Sequence, residues 1–124
     1  MNSAGHILFI DDDESIREFV SMALADEGYQ VSTAPHGAAA LDILRKHQPS
    51  LILLDMRMPV MDGWAFLRAY RQTPDPHVPI IALTASRNSP DAQVPPEVDS
   101  FLAKPFDLTE LIDLIATYMR SSTL

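Results

Sequence analysis

The chain has 124 residues, a formal charge of −8 at neutral pH, 47% hydrophobic residues and no cysteine. That length suits one domain with a sizeable core, and the hydrophobic content excludes a disordered chain. The acidity argues against general affinity for nucleic acid or an anionic membrane surface, and the missing thiol excludes disulfides, thiol catalysis and Cys-ligated zinc.

No apolar stretch approaches a membrane span, and Met1 to Gly5 lacks the regions of a signal peptide, so a soluble cytoplasmic protein is expected. His6-Ile7-Leu8-Phe9-Ile10 is short, apolar and without polar alternation, as in a parallel strand buried on both faces, and it runs into Asp11, Asp12 and Asp13. A helix is predicted from about Glu14, with Ile16, Phe19, Val20, Ala23 and Leu24 at helical spacing and Gly28 as its stop. Tyr29 to Ala34 alternates enough for an outer strand. Gly37 to His47 predicts a second helix with Ala40, Leu41 and Leu44 inward, Ile43 beside them and Asp42 outward; Pro49 blocks its continuation. Leu51 to Leu54 is a third strand, again followed at once by an acid, Asp55.

Asp62 caps a third helix carrying Trp64, Phe66, Leu67 and Tyr70. Ile80 to Thr84 predicts a fourth strand and Ser100 to Ala103 a short fifth. Between them, Ser89-Pro90 suits a helix start, but Pro95 and Pro96 restrict residues 86–99 to one turn or an irregular loop. Asp107 and Glu110 form a capping-box-like start for a last helix with Leu111, Ile112, Ile115, Tyr118 and Met119.

Five β/α units in series predict a single α/β domain over residues 1–124. Its architecture is a doubly wound, five-stranded parallel sheet in the flavodoxin-like order 2-1-3-4-5, with helices on both faces and the fourth helix short or irregular. Ligands then sit beyond the carboxyl ends of the strands, at the switch between strands one and three, and those are the strands that end in aspartates. Each pair of carboxylates held ~5 Å apart costs roughly 3 kcal/mol at an effective dielectric of about 20. Such a cluster must be protonated, neutralised by a cation or used. Thr84 adds a hydroxyl at the same edge, Lys104 an ammonium, and Met56-Arg57-Met58-Pro59 supplies backbone carbonyl and amide groups. Carboxylates, a carbonyl and water form the oxygen set that magnesium prefers, and an aspartate beside magnesium and lysine suits nucleophilic attack on phosphorus.

Four motifs, taken in order, extend that reading: Ile-Asp-Asp-Asp at 10–13, Leu-Leu-Asp-Met-Arg-Met-Pro-Val-Met-Asp-Gly at 53–63, Leu-Thr-Ala at 83–85 and Ala-Lys-Pro-Phe at 103–106. With this spacing the chain resembles the receiver domain of two-component response regulators, from His6 through the last helix. The resemblance implies that Asp55 accepts a phosphoryl group from a histidine kinase or histidine phosphotransfer protein and signals to a downstream protein target or effector domain. It implies Mg2+ held by Asp11 and Asp12, with Asp12 the more direct ligand, joined by Asp55 and the Arg57 backbone carbonyl. Thr84 and Lys104 would bind phosphoryl oxygens. Phe101, three residues before Lys104, matches the switch aromatic that turns inward as Thr84 moves, and the Lys104-Pro105 bond is expected to be cis. The implied chemistry is limited to phosphoryl acceptance and slow autodephosphorylation, which makes a regulatory protein rather than an enzyme, with no direct nucleic-acid or membrane contact. The proline-bearing stretch before Lys104, where Glu97-Val98-Asp99 replaces a glycine-containing turn, departs from the family pattern and argues against a conventional output face there.

Other readings stand beside these. Asp11 and Asp12 suit solvated helix caps as well as metal ligands, Asp13 suits a cap in either case, and Phe101 suits a packed aromatic without a switching role. Met56, Met58 and Met61 are read as core and loop filling, and the four histidines, without metal-ligand spacing, are given no role. A flavodoxin-like electron carrier would need a hydroxyl- and glycine-rich phosphate loop where Asp11 to Glu14 stand. A magnesium-dependent phosphatase would need a second carboxylate where Arg57 stands. A non-phosphorylated receiver-like interaction module remains the alternative, although every required position is filled.

Overall fold

The alternation of strand-like and helix-like segments is realised in the computed structural model, which describes residues 5–58, 61–74, 77–84 and 98–121. The elements are β1 (His6–Ile10), α1 (Glu14–Asp26), β2 (Gln30–Ala34), α2 (Gly37–Lys46), β3 (Leu51–Asp55), α3 (Gly63–Arg71), β4 (Ile80–Thr84), β5 (Ser100–Ala103) and α4 (Leu108–Ser121). All strand pairs are parallel and the sheet order is β2-β1-β3-β4-β5, as expected. The irregular fourth helix anticipated within 86–99 lies almost wholly outside the described residues.

Burial on both faces explains the continuous apolar runs. Leu8 and Ile10 of β1, with Ile52 and Leu54 of β3, pack on one side against Ala40 of α2 and Phe66, Leu67 and Tyr70 of α3. Ile7 and Phe9, with Leu51 and Leu53, point the other way, onto Val20 and Leu24 of α1 and Leu111, Ile115 and Met119 of α4. Every residue of β3 and β4 is buried. β2, at the sheet edge, exposes Gln30 and Thr33, which is why it alone showed alternation.

The predicted caps are in place. Asp13 accepts from the Ile16 amide (3.1 Å) and Asp62 from the Ala65 amide (2.9 Å). Glu110 reaches back to the Asp107 amide at 3.2 Å, half of a capping box. Gly28 has φ of +98°, a conformation suited to glycine beyond a helix end. α2 is capped by His36, whose Nδ1 accepts from the Ala39 amide at 3.2 Å, so one of the unassigned histidines has a structural role.

Gly63 has a packing role besides its turn: a Cβ there would lie 2.7 Å from the Met56 Cα, so only glycine lets α3 start this close to the exit of β3. Asp99 explains the unusual turn before β5. Its carboxylate accepts from the Ile80 amide (2.8 Å), its amide donates to the Ile80 carbonyl (2.8 Å), and its carbonyl accepts from the Tyr118 hydroxyl (2.9 Å).

Two apolar residues named with these helical patterns lie away from the core. Phe19 is 62% exposed and Trp64 38% exposed. The buried stripe of α1 is narrow, running through Val20 and Leu24 with Ile16 partly covered, and Phe19 falls to its flank. On α3 the inward direction is set by Phe66, Leu67 and Tyr70, from which Trp64 is turned about a third of a revolution away. Urea unfolding should therefore show Phe66→Ala losing about 3–5 kcal/mol and Phe19→Ser remaining within about 0.5 kcal/mol of the parent.

Candidate functional site

Sheet register places the site. Ile10 stands opposite Leu54, Asp55 opposite Leu83, and Thr84 opposite Ala103. Asp11, Asp55, Thr84 and Lys104 consequently emerge within two register positions of each other at the carboxyl edge of four adjacent strands. Asp11 is 1% exposed and Asp55 3%, while Asp12 lies open to solvent. One carboxylate oxygen from each of Asp11, Asp12 and Asp55 lies within 4.8 Å of the others.

Lys104 Nζ stands 3.4 Å from Asp11 Oδ2 and 3.4 Å from Asp55 Oδ2. The second oxygen of each buried carboxylate is held by backbone: Asp11 Oδ1 accepts from the Asp13 amide (2.9 Å) and Asp55 Oδ1 from the Arg57 amide (3.1 Å). Arg57 therefore meets Asp55 through its amide, a contact additional to the carbonyl role assigned to it from sequence. Thr84 is buried at the end of β4, and its carbonyl accepts from the Lys104 amide at 2.9 Å. The Lys104-Pro105 bond is cis. Phe101 is on β5 and 48% exposed, so it is turned outward.

Burial pushes the Asp55 carboxyl up from 3.8 to about 6. Lys104 and the Arg57 amide pull the other way, and the neighbouring Asp11 carboxylate adds to the rise. Desolvation thus outweighs the ammonium, and the ionised Asp55 that prevails at neutral pH is held at a cost. Such a carboxylate, in a crevice beside a like charge and a cation, has the character of a reactive group.

Among the described residues, three carboxylates face one ammonium, a formal surplus of two negative charges. The donor set is wholly oxygen, two of the carboxylates are already oriented by backbone amides, and Asp12 is open to solvent. These residues fit a hard divalent cation of the magnesium type, which keeps several waters. They do not suit a phosphate held by protein alone, since the acids would repel it.

One residue at this edge escaped the sequence reading. Arg17, on α1, donates from Nη1 to the Asp11 carbonyl at 2.7 Å. In sequence it is an ordinary basic residue on a helix with acidic neighbours, and only the turn from β1 into α1 brings it back over the aspartates.

The model of the response regulator receiver domain matches residues 7–116. Among curated proteins, the chain is 35% identical over 117 residues to the transcriptional regulatory protein CseB of Streptomyces avermitilis, covering 93% of this chain and 49% of that protein. It is 40% identical over 121 residues to the probable transcriptional regulator ycf27 of Porphyra purpurea, covering 96% of this chain and 49% of that one. The chain therefore spans about half the length of these curated relatives. Among solved structures, the CheY-like receiver domain protein of Methanospirillum hungatei matches with TM-score 0.78 and 32% identity over 95% of this chain and 98% of that one. CheY4 of Vibrio cholerae matches with TM-score 0.78 and 33% identity over 91% and 97%.

The raised Asp55 carboxyl makes stability pH-dependent. Between about pH 4 and 6 the folded chain binds a proton at Asp55 that the unfolded chain has lost, so the native state loses stability as pH rises through that window and does not regain it above. In metal-free buffer, Asp55→Asn should be more stable than the parent at pH 7 and converge with it near pH 4. The expected difference is of order 1–2 kcal/mol once solvent screening at the open mouth is allowed for, measured by urea unfolding across pH.

Proposed function

This chain belongs to the response regulator receiver domain family, and we propose that it is a phosphorylation-dependent signalling switch with Asp55 as the phosphoacceptor. The observation that carries this reading is the placement of the Asp55 carboxylate, buried beside Asp11 and 3.4 Å from Lys104, at the carboxyl edge of the sheet. A receiver domain is a signalling domain and not a conventional enzyme.

The donor proposed is a phosphohistidine of a histidine kinase or histidine phosphotransfer protein. An Asp55 oxygen attacks phosphorus; the new P–O bond forms as the P–N bond breaks, and the departing imidazole keeps the electron pair and takes a proton from water. Lys104 is already within reach of Asp55 Oδ2 and is assigned to the transferred phosphoryl oxygens, together with the Thr84 hydroxyl. Asp11, Asp12, Asp55 and the Arg57 carbonyl would hold Mg2+, which when bound offsets charge on the transferring group. Before transfer, Lys104 and the two backbone amides keep both buried carboxylates oriented. Hydrolysis reverses the modification when water attacks the same phosphorus and the carboxylate leaves; Arg57 flanks that path.

Phosphorylation replaces a monoanion by a larger, more highly charged group that competes for Lys104 and Thr84. Phe101 and Thr84 lie on neighbouring strands, with Ala82 opposite Phe101 and Thr84 opposite Ala103, so a movement of Thr84 is felt directly by β5. The proposed switch is the inward turn of the exposed Phe101 as Thr84 closes on the phosphoryl group. Its output is a downstream protein target or an effector domain, a reading supported by the greater length of the relatives named transcriptional regulators. With a formal charge of −8, the chain itself is assigned no direct nucleic-acid contact and a cytoplasmic location. Among the described residues, no helix is long and apolar enough to cross a membrane.

Incubated with Mg2+ and acetyl phosphate, the native protein should gain one phosphoryl group by intact-mass measurement. Asp55→Asn should gain none, and chelation of the metal should suppress the gain in the parent; labelling that persists in Asp55→Asn would refute the assignment. Arg57→Ala should alter the decay rate of the phosphorylated form several-fold, followed by mass after donor removal, whereas an unchanged rate would take Arg57 out of the mechanism.

A further inference from the structure

We infer that Arg17 is a positioning residue for the divalent-cation site, holding the Asp11–Asp12 backbone in the geometry that Mg2+ requires. This inference rests on the phosphoacceptor reading and deepens it, because it concerns the cation affinity of the same site.

The backbone of this loop can be followed bond by bond. β1 leaves the sheet after Ile10, the last residue paired with β3. The Asp11 amide makes one more link to β2, donating to the Ala34 carbonyl at 3.1 Å. Its carbonyl then accepts from Arg17 Nη1 at 2.7 Å, a length typical of charge-assisted bonds. The Asp13 carbonyl accepts from the Arg17 amide at 2.9 Å. Asp12, exposed and expected to be the more direct cation ligand, thus lies between two carbonyls that are both bonded to Arg17, one through the side chain and one through the backbone. The Asp13 amide is meanwhile held by Asp11 Oδ1 and the Asp13 carboxylate by the Ile16 amide, so Asp13 is tied at three points and the Asp11 carbonyl at one.

Loss of that guanidinium would leave the carbonyl of Asp11, itself 1% exposed, without its charged donor. Mg2+ tolerates little departure from octahedral geometry, and removal of outer partners of metal ligands typically weakens binding 10–100-fold. Charge and position pull in opposite directions here. Removing a positive group near a cation site should by Coulomb's law tighten Mg2+ binding, whereas releasing the loop should weaken it. Glu14 and Glu18 line the same cleft between α1 and β2 as Arg17, so its charge is not the only one on that side of the site. Position is therefore expected to win.

Calorimetric titration of the whole chain with MgCl2 tests this, comparing the parent with Arg17→Met, Arg17→Lys and, as a control, Asp12→Asn. Mg2+ uptake by the parent, its loss in Asp12→Asn, about tenfold weaker binding in Arg17→Met and partial recovery in Arg17→Lys are expected. The Mg2+ concentration that half-saturates phosphorylation from acetyl phosphate should rise by the same factor in Arg17→Met, with the rate at saturating Mg2+ within about twofold of the parent. Thermal unfolding in chelator shows which variants fold; should Arg17→Met fail to, Arg17→Gln and Arg17→Lys carry the same comparison. Unchanged or tighter Mg2+ binding in the folded Arg17 variants overturns the inference and leaves the phosphoacceptor reading standing. Absence of Mg2+ uptake by the parent overturns both.

Discussion

Asp11 and Asp55 are buried side by side with the Lys104 ammonium spanning them. The rest of the structure is organised around tolerating that charge. Burial, joined by the neighbouring Asp11 carboxylate, outweighs Lys104 and a backbone amide and leaves the Asp55 carboxyl raised to about 6. Like charges in a crevice are not a source of stability, so the fold has to supply stability elsewhere. It does so through two apolar layers, one on each side of the sheet, which bury β3 and β4 completely. A fully buried parallel sheet holds its strand ends rigidly, and rigidity keeps the acids together despite their repulsion.

Small local devices convert that rigid edge into a shaped site. Asp13 starts α1 and at the same time donates its amide to Asp11, so one residue both caps a helix and orients a site carboxylate. Gly63 lets α3 begin against Met56, immediately beyond Asp55. Asp99 ties the entrance of β5 to the start of β4 and to Tyr118 of α4, which sets the strand carrying Phe101 and leading to Lys104. Arg17 closes the β1–α1 loop from above. Each device is worth only about 1–2 kcal/mol; Asp13 and Arg17 act directly on Asp11, whereas Gly63 and Asp99 act on the elements that lead to or from the site.

The proposed switch uses the contrast between these tied elements and the groups left open to solvent. Asp12 and Arg57 are exposed at the mouth, and Phe101 is half exposed on the edge strand. A phosphoryl group on Asp55 would redirect Lys104, which in the unmodified protein is shared between Asp11 and Asp55. The change in charge is local, and the parallel pairing of β4 with β5 offers it a route outward.

Much of this was already written in the chain. Runs such as Ile7 to Ile10 and Leu51 to Leu54, too short for buried helices and without alternation, required strands covered on both faces, and serial β/α units then left few topologies. Acids placed at once after two such runs pointed to the candidate site, because strand ends in a parallel sheet point the same way. The caps at Asp13 and Asp62 followed from residue type and spacing. What the linear pattern lacked was direction around a helix axis and the course of loops. Phe19 and Trp64 have the hydrophobicity of core residues but fall outside stripes whose width depends on how closely each helix approaches the sheet. His36 as a cap, Asp99 as a strand tie and Arg17 over the Asp11 carbonyl all depend on contacts between segments whose separation the sequence does not encode locally. Residue type and period determined which groups this protein brings to its sheet edge; helix orientation and loop path, set by packing in three dimensions, decided which neighbours hold them there.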